Sequence, residues 1–449
     1  MKTVVISSFH PHISRNILLT PFLARIVDAG VRVVIVTADY KVPYFQKTFS
    51  AKNIVIEGVP LYGASRTRRG IFFKRLSFYL FNTETARTRK KYEYYCRGKY
   101  IHYAISRFFG FVGRSNIARR MLRALDHALS PRDFFRHILD VHKPDAVFST
   151  DIQNENDVSL MQDARRRGVL VVGMVRSWDN PTQRILRVMP DRLIVGSQLL
   201  ADEVAELYQY PRARIFITGD PRYDKYLSGP STTREEFCRR FNLDPEKKLL
   251  LYAPISDMLI RQNDVDQPII EFLGTLCASI LVRFPPSVGV CIGESFKKPP
   301  NVAFDQPGVG FKKDRVTDQE ISREDDQCLV DSLYHADIVI SGPTSIPVDA
   351  VLIDKPSIMV EIYHRPYDFC ESIFNFKFAH IQKVLATGGI RHVRSIEELR
   401  LAISDYFTSP ELDSDGRARI RGRWHSHSDG RASERLAGAL IAATAGVAS

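Results

Sequence analysis

Two series of unbroken apolar runs alternate with helical patterns along this chain, and they limit its fold more than any other feature. The first series contains "KTVVISS", "VRVVIVTA", "PDAVFST", "VLVVGMV" and "DRLIVGS". The second contains "KLLLYAP", "ILVRFPP", "ADIVISG" and "KPSIMVE". Val, Ile and Leu runs that do not alternate with polar residues are typical of strands buried on both faces of a parallel sheet. The sequence therefore predicts two doubly wound α/β domains.

The boundary between the two predicted domains lies near "SGPSTTREEF", which has the composition of a linker. A chain of 449 residues is too long for one ordinary core and suits two domains. We expect an N-terminal domain at 1–228, a C-terminal domain at 229–425 and a loosely attached tail at 426–449. The first series is interrupted between its second and third runs, where we expect a helical insertion at about 64–138.

Positive charge is concentrated in this insertion. The chain carries a net charge of +12, and residues 64–136 contain 18 Lys and Arg against 4 Asp and Glu. The window therefore carries 18 − 4 = +14, and the rest of the chain sums to 12 − 14 = −2. Aromatic and aliphatic residues interleaved with basic ones predict peripheral contact with an anionic membrane, although a solvated helical face would also fit. The charge also suggests a nucleic-acid-binding protein, but the window holds no recognisable binding module, so we expect no nucleic-acid partner.

Three features of the sequence bear on localisation. No run reaches the roughly 18 uncharged apolar residues of a spanning helix. The start, "MKTVVISSFHPHIS", lacks the apolar centre of a signal peptide and is typical of a first strand. The six cysteines are scattered without a CxxC pair, which suits a reducing compartment. We expect a cytoplasmic protein that lies peripherally at the inner face of the cell membrane.

Hydroxyl and carboxylate side chains follow the predicted strand "ADIVI", in the segment "SGPTSIPVDA". In an open α/β sheet, ligands bind beyond the carboxyl ends of the strands. Thr344 and Ser345 could hold phosphate oxygens there, and Asp349 could accept ribose hydroxyls. Ser, Thr and Pro are also ordinary residues at the start of a helix, so this segment alone does not decide its role.

Further polar residues follow other predicted strands. Arg222 lies in "RIFITGDPRYDKY", Ser256 in "LLLYAPISD" and Arg283 in "ILVRFPP". Arginine is suited to bidentate phosphate contact, although a single Arg at a strand end is more often part of a surface ion pair. Together these residues favour a phosphorylated ligand.

Three of these segments resemble a known family. "TGDPRYD", "YAPISD" and "SGPTSIPVDAVLIDKPSI" occur in the order, and at about the spacing, of three blocks in the CDP-glycerol glycerophosphotransferases of teichoic acid synthesis. In the third block Thr344 and Ser345 align with paired serines, and Asp349 aligns with a carboxylate. The resemblance covers roughly residues 215–361. It implies the GT-B fold, in which two Rossmann-like domains face a cleft, and a nucleotide-activated donor held by the second domain.

A candidate base lies in the first domain. "SWDN", after "VLVVGMV", resembles a segment of surface-carbohydrate proteins expected to share this fold. Asp179 could act as the general base toward a sugar hydroxyl, or it could cap the turn before Pro181. Trp178 could stack on a sugar or fill the wall between the domains.

Two more loops of the first domain follow predicted strands. In "SSFHPHISRN", His10 and His12 are alternative bases, although a loop histidine with structural partners is the commoner case. Arg15, Asp151 and Glu155 are, with Trp178, the predicted acceptor contacts.

These features predict a GT-B glycosyltransferase of surface polysaccharide assembly. It would move a sugar from a nucleotide-activated donor to a growing polysaccharide or a lipid-linked glycan. No cluster of residues has metal-ligand spacing, and we expect catalysis without a metal or another cofactor, since protein cations and dipoles can stabilise the leaving diphosphate. A CDP-polyol phosphotransferase of the teichoic acid type and a non-hydrolysing nucleotide-sugar epimerase are the alternatives with the same fold.

Overall fold

A computed structural model of the chain describes residues 1–61, 66–286, 288–311 and 318–446. The chain divides into two compact units. The first comprises residues 1–224 together with 429–449, and the second comprises residues 225–428. Residues 64 and 65 of the expected insertion and 447–449 of the expected tail lie outside the described residues.

The first unit is built on a parallel sheet of seven strands. These are β1 (Thr3–Ser8), β2 (Arg32–Ala38), β3 (Ile54–Val59), β4 (Ala146–Ser149), β5 (Leu170–Met174), β6 (Arg192–Val195) and β7 (Ile215–Ile217). Their order is β3-β2-β1-β4-β5-β6-β7. The order reverses between β1 and β4, and the carboxyl ends of strands at such a switch point are where doubly wound folds bind ligands.

Helices cover both faces of this sheet. They are α1 (Pro11–Ile13), α2 (Phe22–Asp28), α3 (Val42–Phe49), α4 (Arg68–Tyr79), α5 (Glu84–Lys90), α6 (Tyr100–Val112), α7 (Asn116–Leu129), α8 (Arg136–His142), α9 (Glu155–Arg166) and α10 (Gln198–Tyr208). Five of them, α4 to α8, lie between β3 and β4. The apolar strand residues are buried in two core clusters, as the unbroken runs predict.

A buried ion-pair network fastens the helices between β3 and β4 to the sheet unit. Arg187 is almost fully buried, and its guanidinium makes two bonds to Asp126 of α7, at 2.7 and 2.8 Å. The same guanidinium donates to Glu155 of α9 at 2.5 Å, and the hydroxyl of Ser130 donates to Asp126. Because one Arg bridges two carboxylates on different helices, the position of α7 is fixed relative to α9.

The second unit is built on a second parallel sheet. Its strands are β8 (Leu249–Ala253), β9 (Ser279–Arg283), β10 (Val302–Asp305), β13 (Ile338–Ser341), β14 (Ser357–Val360) and β15 (Arg391–Val393), and β11 (Val309–Gly310) and β12 (Gln319–Glu320) form a separate antiparallel pair. The sheet order is β10-β9-β8-β13-β14-β15. Its helices are α11 (Arg234–Arg240), α12 (Asp266–Gly274), α13 (Arg323–His335), α14 (Ile346–Leu352), α15 (Ala379–Leu385), α16 (Ile396–Thr408) and α17 (Ser414–Trp424).

The C-terminal segment differs from the loose tail that the sequence suggested. Residues Ala432–Ala445 form helix α18, which packs against α2 of the first unit. Leu436 and Leu440 enter the same apolar cluster as β1 and β2. The carboxylate of Asp224 accepts hydrogen bonds from the backbone N–H groups of Ala432 and Ser433 at 2.9 and 2.7 Å, which satisfies donors at the start of α18. The segment is ordered because the Leu and Ala residues on one side of α18 are buried against the first unit.

The prediction of two doubly wound parallel-sheet units is confirmed. None of the described helices is long and apolar enough to cross a membrane.

We predict that Arg187→Met destabilises the protein by about 3–5 kcal/mol, because it leaves the carboxylate of Asp126 buried without its counter-charge. Glu155 would keep the longer pair to Arg184, at 3.4 Å. Chemical denaturation would measure this destabilisation. Arg212→Met is the matched control, since the pair of Arg212 with Asp202 is exposed and its removal should cost no more than about 1 kcal/mol. Equal effects of the two changes would show that the buried network does not hold the insertion.

Candidate functional site

Polar side chains from three strands of the first sheet meet at its carboxyl edge. His10 and His12 follow β1, Asp151 follows β4 and Arg176 follows β5. Phe9 and Ile13 are buried on either side of the histidines, so the loop after β1 is anchored by its apolar residues. Pro11 starts the short helix α1 between the two rings.

Arg176 joins His10 to Asp151. Its Nη1 lies 2.9 Å from Nε2 of His10, and its Nε lies 2.9 Å from Oδ2 of Asp151. A guanidinium can only donate, so Nε2 of His10 must be the acceptor. The lone pair of His10 at this nitrogen is therefore already engaged.

His12 differs from its neighbour. Its ring centroid lies 4.8 Å from that of His10, and the side chain is half-buried. Within the described residues, neither ring nitrogen of His12 has a hydrogen-bond partner. Burial, followed by the positive charges of Arg15, Arg176 and Arg222, holds the pKa of His12 well below its ordinary value of 6.5. The ring is therefore neutral at physiological pH and can accept a proton.

His10 shares this cationic environment. Its pKa is also well below the ordinary value, because the ring is buried and because Arg176, His12, Lys41 and Arg15 oppose a further positive charge. Both histidines are neutral, but only His12 has ring nitrogens that no group in the described residues occupies.

A buried carboxyl group lies beneath these residues and was missed by the sequence analysis. Asp157 of α9 accepts a hydrogen bond from Ser149 at 2.9 Å and another from Ser7. Burial, reinforced by the nearby charge of Asp151, raises the pKa of Asp157 to about 7. The available signal was the pair of serines at the ends of two otherwise apolar strands, β1 and β4, which need a buried polar partner.

Three of the predicted acceptor contacts have structural partners. Glu155 accepts from Arg187 and lies 3.4 Å from Arg184, so its carboxylate belongs to the buried network that holds α7. Trp178 packs against the larger core cluster of the first unit, which favours the structural alternative for this side chain. Asp151 lies at the predicted edge but is paired with Arg176.

The other first-unit candidates lie in the loops after β1, β5 and β7. Asp179 is half-buried and accepts from Nε2 of Gln183 at 2.6 Å, and it does not cap the short helix that follows it. Nε of Arg15 donates to Oδ1 of Asn16 at 2.8 Å. Arg222 is buried in the first unit, where its Nε lies 3.1 Å from Asp220 and its guanidinium stacks 4.3 Å from the ring centre of Tyr223.

In the second unit, the hydroxyl groups after β13 lie at the carboxyl edge of the sheet. Oγ1 of Thr344 lies 2.9 Å from Oγ of Ser341, and both Thr344 and Ser345 are half-buried. Ser345 immediately precedes α14, and its side chain makes no capping bond. Asp349, one turn further, is buried.

The end of the same motif has a structural explanation. Asp354, in a left-handed conformation, accepts from the buried Arg417 at 2.8 Å and from Arg421 at 2.7 Å. Lys355 donates to the carbonyl of Tyr334 at 2.5 Å, near the end of α13. These two residues therefore hold α14 and α13 against α17.

The loop after β8 is organised by a carboxylate that the sequence analysis also missed. Asp266 is fully buried and accepts from Tyr252 at 2.5 Å, Ile255 N at 2.8 Å and Asn263 at 2.8 Å. It also accepts from the backbone N–H of Ser256 at 3.1 Å, and Ser256 adopts a φ of 74°. A non-glycine residue in this region is strained, and such strain clusters at functional loops.

Arg283 differs from the predicted phosphate contact. Its guanidinium forms an ion pair with Asp305, donates to the carbonyl of Asp325 at 2.5 Å and lies 3.3 Å from the sulfur of Cys328. The side chain is buried. Because Asp305 already neutralises it, the structure favours a role for Arg283 in joining β9, β10 and α13.

The described residues contain no group of three or more His, Cys, Asp or Glu side chains that could hold a metal ion.

Comparison with known proteins gives a partial profile match and a shared fold. The sequence profile of the CDP-glycerol:poly(glycerophosphate) glycerophosphotransferases matches residues 175–259. A comparison with curated proteins finds no significant match. Among solved structures, the chain is similar to UDP-GlcNAc 2-epimerase from Neisseria meningitidis bound to UDP-GlcNAc, with a TM-score of 0.57, 12% identity and coverage of 98% of this chain and 100% of that chain.

Two further solved structures support the same fold. The calicheamicin glycosyltransferase gives a TM-score of 0.52 at 12% identity, with 100% of each chain covered. The wall teichoic acid polymerase TagF gives a TM-score of 0.50 at 11% identity, with 99% of this chain and 90% of that chain covered. Identities of this size establish a fold and not a reaction. The chain has the GT-B fold, as the resemblance implied.

The buried carboxyl group gives a prediction about pH. In the unfolded chain Asp157 loses its proton near 3.8, whereas the folded protein retains it up to about 7. The unfolded state therefore binds fewer protons between these values, so this group's contribution to stability is complete below the lower value and is lost as pH rises through the upper one. Asp157→Asn keeps an acceptor for both serines and cannot ionise.

We expect the free energy of unfolding of Asp157→Asn, relative to wild type, to rise by up to about 1.4 kcal/mol per pH unit between about pH 4 and pH 7 and then level off. Urea denaturation at a series of pH values would measure it. A constant difference across this range would contradict a proton on Asp157 in the folded protein.

Proposed function

We propose that the protein is a glycosyltransferase that moves a sugar from a nucleotide-activated donor to a hydroxyl group of a surface polysaccharide or a lipid-linked glycan. The observation that carries the proposal is His12, a neutral ring at the carboxyl edge of the first sheet whose nitrogens are unoccupied among the described residues. The GT-B fold and the profile match over residues 175–259 support a nucleotide-linked donor.

In this proposal His12 is the general base. The acceptor hydroxyl gives its proton to His12 as its oxygen forms a bond to the anomeric carbon, and the bond to the nucleoside diphosphate breaks with its electron pair leaving on the phosphate. The protonated ring is opposed by the charges of Arg15, Arg176 and Arg222, so it returns the proton to solvent readily. Asp179, which the sequence suggested first, is bonded to Gln183 and is the alternative base.

The donor is assigned to the second unit. Thr344 and Ser345 are partly exposed hydroxyls after β13, and we assign them to the donor phosphates. Asp349 remains the proposed ribose contact, and Ser256 lies in the strained loop held by Asp266. Arg222 is assigned to the negative charge that develops on the leaving group.

We also propose that no metal or further cofactor takes part. Guanidinium groups and hydroxyls would meet the leaving diphosphate in place of a divalent cation. Undiminished turnover after treatment with a chelator would support this, and a decrease that Mg²⁺ restores would refute it.

A second candidate is a CDP-polyol phosphotransferase, which the profile match favours. A thermal-shift panel of CDP-glycerol, CMP-, UDP-, GDP- and dTDP-linked sugars separates the two, because a ligand that binds only the folded state raises its stability. Stabilisation by CDP-glycerol alone would favour the second candidate. Turnover of a nucleotide sugar in the absence of acceptor would instead identify an epimerase.

The proposal includes a peripheral position at the cytoplasmic face of the cell membrane. The charge of +14 over residues 64–136 supports it, because the cytoplasmic leaflet is anionic.

For the donor site we predict that Thr344→Ala combined with Ser345→Ala weakens donor binding by about 1.5–3 kcal/mol for each hydrogen bond to a charged phosphate that the change removes. Calorimetric titration with the donor that the panel identifies would measure it. Thr408→Val is the matched control, since Thr408 is exposed on α16 and its hydroxyl donates to the carbonyl of Ser404 within the same helix. Unchanged affinity of the double variant would remove these hydroxyls from the donor site.

For the base we predict that His12→Gln lowers kcat by a factor of about 10²–10⁴ with nearly unchanged donor affinity. The kcat/KM of wild type should stay level through neutral pH and fall only below the ordinary histidine value of 6.5, because His12 must be unprotonated to act. His10→Gln and Asp179→Asn are the comparison variants. A large decrease of kcat in Asp179→Asn, together with a near-normal kcat in His12→Gln, would identify Asp179 as the general base.

A further inference from the structure

Helix α7 is turned so that four of its apolar residues face solvent, while Leu122 enters the core. Ile117, Met121, Leu125 and Leu129 are 48–70% exposed, and their spacing of four places them on one side of the helix.

The half-buried Arg119 and Arg123 of α7 face the protein instead. Arg119 donates to the carbonyls of Gly113 and Leu207 at 2.6 and 2.7 Å, and Arg123 donates to that of Leu186 at 3.0 Å. This is the reverse of the usual arrangement of a surface helix.

Helix α6 also exposes apolar residues, while Phe109 and Val112 pack against the core. Ile101, Phe108 and Phe111 are 65–77% exposed, whereas Ser106 and Gly110 are buried. Of the 21 large apolar side chains exposed in the described part of the chain, 12 lie between Ile71 and Leu129. Such a concentration marks an interaction surface, because soluble proteins rarely expose contiguous apolar area of this kind. We call residues 97–129 the α6–α7 surface.

Cations surround these apolar residues. Exposed basic side chains on the α6–α7 surface are Arg97, Lys99, Arg107, Arg114 and Arg120. The single acidic residue between positions 97 and 129 is Asp126, which is buried and neutralised by Arg187. The exposed charge of the surface is therefore of one sign, and its complement is an anionic partner.

We propose that the α6–α7 surface inserts its apolar side chains into the headgroup region of an anionic lipid bilayer. A second copy of this chain would bring like charges together. Phe108 and Phe111 can stack on bases, but the exposed apolar residues of α7 offer nucleic acid neither stacking nor hydrogen bonds. A bilayer accepts both features, because apolar groups enter the acyl boundary while Arg and Lys reach the phosphates. The inference deepens the proposed function, since a lipid-linked acceptor lies at such a surface.

The test is flotation with vesicles of phosphatidylcholine alone and with one third phosphatidylglycerol, with neither donor nor acceptor present. We expect recovery with the anionic vesicles and its decline as salt rises, because exposed charges are screened. Phe108→Ser with Phe111→Ser should lower the partition coefficient about tenfold or more by removing inserted apolar area. Leu401→Ser, an equally simple change at an exposed residue of α16, should leave it unchanged.

A second measurement reports insertion directly. Phe108→Trp places a fluorophore on the surface, and Leu401→Trp places one on the second unit as the control. Brominated lipid should strongly quench the fluorescence of Phe108→Trp. In Leu401→Trp the added tryptophan should not be quenched, so the quenching should be no greater than that of the two native tryptophans in wild type. Because Phe108 is exposed, neither the Trp nor the Ser variant should disturb folding, which a thermal melt would check.

Several outcomes would overturn the proposal. Equal recovery with both vesicle types, or recovery that the paired Phe changes leave intact, would exclude insertion. A concentration-dependent dimer that Phe108→Ser abolishes would assign the surface to a second copy, and a salt-sensitive shift with RNA would assign it to nucleic acid. Membrane binding without transferase activity would refute the proposed function alone, and activity on a soluble acceptor without membrane binding would refute this inference alone.

Discussion

The first unit depends on a buried polar contact at the point where its strand order reverses, between β1 and β4. Ser7 at the end of β1 and Ser149 at the end of β4 both donate to Asp157, which α9 presents from below. Above this layer Arg176, in the loop after β5, contacts the loops after β1 and β4 through His10 and Asp151. Because Ser7 and Ser149 both bond to Asp157 inside the protein, the loop that carries His10 and His12 stands on a rigid base.

The sequence allowed the fold to be predicted because the two sheets are buried on both faces. Burial of both faces requires unbroken apolar runs, and such runs are visible without knowledge of their partners. Helix α18 was missed because the Leu and Ala residues that fix it gain their meaning from α2, more than 400 residues earlier in the chain. Its anchor, Asp224, lay within a motif that was assigned only to ligand binding.

The candidate site could be located from the sequence only to the level of strand-end loops. The position of a polar residue after a strand predicts the edge at which it lies, but not its partner. Glu155 and Arg283 are at the expected edges, yet each is neutralised by an opposite charge from a distant segment. Asp157 and Asp266 were missed for a different reason. A carboxylate in a helical pattern does not itself show that it will be buried against hydroxyls or backbone donors, and for Asp157 the signal lay in the serines of two strands.

The position of α18 also constrains the order in which the chain can fold during synthesis. Leu436 and Leu440 belong to an apolar cluster whose other members include residues of β1, β2 and α2. The ribosome synthesises residues 225–428, the whole second unit, after those elements and before α18. The apolar cluster beside α2 is therefore incomplete until helix α18, which follows the second unit in the sequence, has been synthesised. Until then the apolar side chains of α2 that α18 covers stay exposed, and transiently exposed apolar surface of this kind favours aggregation of an incomplete chain.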